Sequence, residues 1–207
     1  MPLAHGMNEL TSIRRHKMVA QTCNKIVGRM IANDLVSADD CAIYSYHLQI
    51  MLEAIIVHAI LLSVAAITGH FIEIFLFLIS FDILRGSANG YHCKTSVGCF
   101  LLSSLVCALV VLMKDLFLRF VLQYQGGLII AMIIIFLVGA INHPNMGWSD
   151  EELSKAKRSS RIKILILLIL LFILDFLGIE KVYLYCFSMG IVQCSISLVI
   201  VKFKGKD

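Results

Sequence analysis

The chain has 207 residues, of which 59% are hydrophobic and 15% charged, with a formal net charge of +4. A soluble domain of this size carries about 25% charge. A water-soluble enzyme or nucleic-acid-binding module is therefore excluded, and an all-α, polytopic membrane protein is expected, with no soluble domain beside its spans.

Taken in order, residues 1–36 read as no signal peptide, because charges interrupt them throughout. Between Met7 and Asp34 a narrow apolar stripe of Val19, Cys23, Ile26 and Met30 recurs at helical spacing, with Lys17, Gln21 and Lys25 on the far side. An amphipathic helix lying in the membrane interface fits this pattern. A helix packed on the protein's own bundle fits it equally. Ser37-Ala38-Asp39-Asp40 resembles a helix start, with Ser37 as N-cap and Asp40 at N3.

Six candidate spans follow within 37–207, at about 42–67, 69–84, 95–113, 117–140, 162–178 and 182–201. The first, third and sixth are long enough for a ~30 Å hydrocarbon core. The second contains Glu73 and Asp82, and Gln123-Tyr124-Gln125-Gly126-Gly127 interrupts the fourth, so a broken or shortened helix is expected there. If the N-terminus is cytoplasmic, fifteen of the eighteen Lys and Arg fall on the inside, as the positive-inside rule requires. The expectation is six spans in one domain, with both termini cytoplasmic. Four full spans, with the second and fourth segments re-entrant or interfacial, are the alternative. The seven cysteines show no paired framework, and thiols rather than disulfides are expected.

The polar window Arg85 to Cys99 stands out in this apolar chain. An imidazole beside a thiol takes its proton and stabilises the anion, the requirement of a cysteine nucleophile. His92 and Cys99 are seven residues apart, about 10 Å along a continuous helix, too far to meet. Asn89-Gly90 offers a turn instead. That turn would fold a His92-bearing loop back over the first turn of the third span, with Cys99 just inside the helix, near its free amides. A satisfied loop histidine above a packing cysteine is the bland alternative. Cys93 is a rival nucleophile, and His92, Cys93 and Cys99 give three metal ligands without a fourth or a familiar zinc spacing. No metal or other cofactor is expected.

Arg85, His92 and Cys99 at successive intervals of seven, with Gly90 two before the histidine, resemble the signature of the accessory gene regulator B (AgrB-like) family. The Ser-x-Asp-Asp…Tyr44 entry to the first span resembles the family too. So does His143-Pro144-Asn145, followed by Ser149-Asp150-Glu151-Glu152 and a basic stretch. The resemblance runs nearly end to end. It implies a Gram-positive membrane cysteine endopeptidase that processes an AgrD-like quorum-sensing propeptide, with Cys99 as nucleophile, His92 as base, and Arg85 and Gly90 needed for the site. Many relatives have Gly-Gly where this chain has Asn89-Gly90, and Asn tolerates the same left-handed geometry. Asp82, Ser87, Asn89 and Ser96 are near enough in sequence to orient the pair, and Asn89 and Ser96 join the supporting set. The resemblance also implies a homodimer.

Other polar residues read more weakly. Glu53, His58, Glu73 and Asp175 lie in or near apolar runs, where charge is costly enough to mark either a pathway or a paired structural role. The basic stretch Lys155, Lys157, Arg158, Arg161, Lys163 suits anionic lipid, topogenesis or an acidic propeptide tail. A small peptide exporter without proteolytic activity, or a membrane scaffold, are the rival functions.

Overall fold

The computed structural model describes residues 21–91, 93, 95–142 and 148–204. Expectations for Lys17, Val19, His92 and His143-Pro144-Asn145 lie outside the described residues.

Long apolar runs with few breakers become helices, because a hydrocarbon environment leaves backbone amides no other partner. Six long ones follow the N-terminal segment: α1 (Cys41–Ile67), α2 (Phe71–Ala88), α3 (Ser96–Arg119), α4 (Val121–Val138), α5 (Asp150–Phe176) and α6 (Lys181–Lys204). Each corresponds to one expected span, with shifted ends. The second runs on to Ala88, so Arg85 sits in its last turn rather than in a loop. The third and fourth meet at Phe120, so residues 117–119 end α3 instead of opening α4. Gly126 and Gly127 lie inside a continuous α4 of 18 residues. By length and composition, Ala38–Ile67, Val97–Phe117 and Lys181–Phe203 are the described helices fit to cross a membrane. Helix α2 carries Glu73, Asp82 and Arg85, and α5 carries Arg161, Lys163 and Asp175.

Helix α5 starts at Asp150, well before its apolar run, because its first turn is strongly capped. The Ser149 hydroxyl accepts from the Glu152 amide, and the Glu152 carboxylate accepts from the Ser149 amide at 2.8 Å. These bonds hold the Glu152 carboxyl below the usual glutamate range. Ser37 caps a 3-10 turn, Ala38–Asp40, through the amide of Asp39 rather than that of Asp40, and α1 begins behind it.

Helix α6 is the centre of the bundle. Its Phe187, Ile191, Cys194 and Leu198 pack with Leu84 and Ala88 of α2, Leu128 and Ile135 of α4, and Ile164 and Leu167 of α5. Towards the opposite end, Tyr185 and Cys186 join Leu61 and Ala65 of α1, Ile74, Phe77 and Leu78 of α2, and Cys107 and Val110 of α3. The α2–α6 crossing is close because Gly190 has no side chain: a Cβ there would lie 2.0 Å from Ser80 Oγ and 2.4 Å from the Phe77 carbonyl. The buried Ser80 hydroxyl donates across this crossing to the Phe187 carbonyl at 2.7 Å. Small residues permit such backbone approach where lipid is as apolar as leucine. The outer faces keep large exposed apolar side chains, Leu112 and Phe172 among them.

Four carboxylates inside the helices, Glu53, Glu73, Asp82 and Asp175, are engaged. Glu73 meets His70 at 3.2 Å and Lys114 at 3.5 Å; Asp82 meets His58 at 3.4 Å; Asp175 pairs with Lys181. Gln49 donates to Glu53 at 3.0 Å. In the N-terminal helix, described over 21–32, Cys23 and Val27 are buried while Ile26 is 39% exposed. Cys23 lies within electrostatic range of Glu53 on α1. The apolar stripe therefore turns one residue further than expected and packs on the protein itself.

Candidate active site

Of the expected site residues, the described Arg85, Asn89, Gly90, Ser96 and Cys99 lie at the end of the bundle where α2 stops and α3 starts. Helix α2 ends because Asn89 takes φ 60° and ψ −152°, its amide still bonded to the Arg85 carbonyl at 3.0 Å. This is not the left-handed helical geometry expected of it but the extended positive-φ region otherwise kept to glycine. Gly90 follows with φ 143°, a conformation open essentially to glycine. A Cβ at Gly90 would sit 2.5 Å from both Arg85 Nη1 and Ser197 Oγ. The backbone therefore lies flat on the very groups that hold it.

Those groups form a knot. Arg85 Nη1 donates to Ser197 Oγ on α6 at 2.8 Å, and Nη2 donates to the Tyr91 carbonyl. The Tyr91 amide donates to the same Ser197 oxygen at 2.8 Å. Arg85 also lies over the Phe81 ring, 5.5 Å from its centroid. On the other flank, Asn89 Nδ2 donates to the Ile141 carbonyl at 3.3 Å and the Ile141 amide donates to the Ala88 carbonyl at 3.1 Å. Below, Ser87 bonds Ser159 at 3.1 Å and receives Lys163 Nζ, tying α5 to the last turn of α2.

Cys93 lies over the first turn of α3, where a Cβ on Gly98 would meet its Cβ at 3.3 Å and its sulfur at 3.7 Å. Thr95 is the N-cap of α3, its hydroxyl accepting from the Gly98 amide at 3.1 Å, and Ser96 is the first helical residue. Cys99 closes the first helical hydrogen bond, its amide donating to the Thr95 carbonyl at 3.1 Å. Its thiol is free and half-buried. Helix-start amides have no intrahelical acceptor and favour negative charge nearby. Arg85 stands within electrostatic range of Cys93, Cys99 and the buried Cys194.

Arg85, Asn89, Gly90 and Cys99 are thus brought to one end of the bundle, and His92 lies in the chain between Tyr91 and Cys93. Asp82, weighed as an orienting residue, faces His58 instead, and Ser87 faces Ser159 and Lys163. Ser197 and Thr95 were not anticipated. Thr95 was readable as a hydroxyl residue just before an apolar run, whereas one serine inside the last apolar run carries no such signal.

Comparison with protein-family models matches the accessory gene regulator B model over residues 23–198. The chain belongs to the AgrB family. The match takes in every described helix, from Cys23 at the N-terminal helix to Leu198 on the core face of α6, and so includes the whole Arg85–Ser197 knot. No curated protein and no solved structure matches the chain. AgrB membership, together with the apolar helices, makes this a membrane protein of the agr quorum-sensing system.

Proposed function

We propose that this AgrB-family chain is a membrane cysteine endopeptidase that trims an AgrD-like propeptide and cyclises what remains. His92 takes the Cys99 proton, and the thiolate adds to the scissile carbonyl. The resulting oxyanion is stabilised by the positive, N-terminal end of the α3 dipole. Collapse breaks the C–N bond, His92 returns the proton to the departing amine, and the propeptide's tail leaves. The N-terminal part stays bound to Cys99 as a thioester. An internal thiol or hydroxyl of that part then gives its proton to His92 and attacks the thioester. The bond to Cys99 breaks, a thiolactone or lactone closes, and the thiolate is regenerated. Exchange between thioesters is nearly isoenergetic, so limiting water at the membrane surface favours ring closure over hydrolysis.

The observation that carries this reading is a free, half-buried Cys99 thiol on the capped first turn of α3, with the Arg85 guanidinium in electrostatic range. The same reading has a cytoplasmic active-site end, both termini inside a Gram-positive cell membrane, and a homodimer. The exporter alternative needs unengaged intramembrane charges, and Glu53, Glu73, Asp82 and Asp175 each have a partner.

The test is reconstituted protein mixed with a synthetic propeptide. Wild type is expected to release the tail and form a mass-detectable Cys99 acyl-enzyme, and Cys99→Ala to do neither. Tail release by Cys99→Ala at the wild-type rate would refute the proposal.

A further inference from the structure

The Ser197 hydroxyl is the point where α6 meets the loop that carries the proposed base. It is 112 residues from Arg85 and 106 from Tyr91 in sequence. Yet it accepts from Arg85 Nη1 and from the Tyr91 amide, both at 2.8 Å, and would be struck by any side chain added at Gly90. Ser197 is 5% exposed, so water does not stand in for it. Arg85 meanwhile devotes Nη1 to Ser197 and Nη2 to the Tyr91 carbonyl. Its fork therefore grips the loop as well as lending charge to the site. Both backbone polar atoms of Tyr91 are thus fixed, one directly by Ser197 and one through Arg85, in the residue immediately before His92.

We infer that Ser197 is a positioning residue, which together with Arg85 sets where His92 stands relative to Cys99. Resting on the assignment of Cys99 and His92 above, this makes the core helix α6 a part of the active site. The hydroxyl takes no part in bond making. Removing it leaves two poorly solvated donors without their acceptor, a loss the loop can relieve only by moving.

The control is Ser195→Ala, on the same helix, whose hydroxyl donates to its own turn, at the Val192 carbonyl, 2.8 Å. Full-length protein in liposomes is treated with iodoacetamide at neutral pH, and Cys99 alkylation is followed by peptide mass spectrometry. Ser197→Ala is expected to slow Cys99 alkylation about tenfold, the scale of one lost hydrogen bond to a charged group. Ser195→Ala is expected to match wild type, and Ser197→Thr, which keeps the oxygen, to recover most of the rate. In a His92→Ala background, Ser197→Ala is expected to have no further effect, because positioning matters only when there is a base to position. A purely structural serine would instead lower the rate in both backgrounds. Should Ser197→Ala fail to fold, Ser197→Thr decides: a rate as low as that of His92→Ala overturns the inference. A His92-dependent wild type alongside an unimpaired Ser197→Ala also overturns it, and leaves the endopeptidase reading intact. A Cys99 rate indifferent to His92→Ala removes the dyad itself, and this inference with it.

Discussion

Gly90 shows most sharply how much of the site is set by the absence of atoms. Its φ of 143° and the 2.5 Å approach of Arg85 Nη1 and Ser197 Oγ act together against any Cβ. Gly90→Ala is expected to cost about 3 kcal/mol in strain and to abolish propeptide cleavage. Four residues earlier, Gly86 is helical and has nothing within 4 Å of a built Cβ. Gly86→Ala should be neutral, or stabilising by up to about 1 kcal/mol. Thermal unfolding and cleavage of the two variants side by side check this, and equal losses would show that the knot is not what the glycine protects. Arg85 changes character at this scale too. Read from sequence, it was, by the resemblance, only a residue needed for the site. In the fold, Nη2 of its guanidinium holds the loop at the Tyr91 carbonyl and Nη1 holds Ser197 on α6.

At the level of helices, two junctions are open to test. The α2–α6 crossing tolerates no Cβ at Gly190, since two of the three nearest atoms, the Phe77 carbonyl oxygen and the Phe81 amide nitrogen, are backbone and cannot swing aside. Gly190→Ala should cost about 3 kcal/mol, the upper part of the range for overpacking, and lower the yield of folded protein. Gly126→Ala, with nothing within 4 Å, should cause no loss. Size-exclusion profiles and thermal scans of the pair decide it. The start of α5 carries a pH dependence. The Glu152 carboxyl is held below its usual range by the bonds within its capping box. A lowered folded pKa means the cap stabilises above the unfolded value of ~4.3 and fades as pH falls through the folded one. Hydrogen exchange of the first turn of α5 should be faster in Glu152→Gln than in wild type at pH 7, and the difference should disappear at low pH. A gap that persists under acid would assign the cap to something other than the carboxylate.

Much of this level was legible in the sequence, because apolar run length and helix formation are the same fact in a membrane. What was not legible has particular causes. Residues 117–119 belong to α3 and not to α4 because nothing in Phe117 to Phe120 is polar or a breaker except Arg119, so the turn at Phe120 leaves no mark. The polar turns of α5 fell outside the expected fifth span because a helix outside lipid needs no apolar run, only its cap. The site divided the same way. Asn89-Gly90 announced its turn, and the spacing of Arg85 and Cys99 across it announced that the two come to one end of the bundle. Ser197 stayed hidden, since tertiary partners more than a hundred residues away leave no local pattern.

At the scale of the molecule, α6 is the axis of packing and, through Ser197, meets the Arg85 loop, while the outer faces of α1, α3 and α4 keep large exposed apolar side chains. The Arg85 loop is tied on one side to α6 and on the other, through Asn89 and Ile141, to the segment that leaves α4. Whatever moves the end of α4 is therefore felt at Asn89.

The length of α4 gives that tie a consequence. Val121–Val138, 18 residues, spans roughly 27 Å at 1.5 Å per residue, a little under a hydrocarbon core of ~30 Å. Its Ile129, Ile130, Ile133 and Leu137 are exposed on the outer face. A bilayer covering that face must dimple towards it, or the helix end must be drawn inwards, each at a modest elastic cost per ångström. Membrane thickness thus becomes a variable of the reaction. Propeptide cleavage in liposomes should quicken as the acyl chains shorten from 22 to 14 carbons, by a few-fold. A rate flat across that series would mean that α4 is screened from lipid by another protein surface.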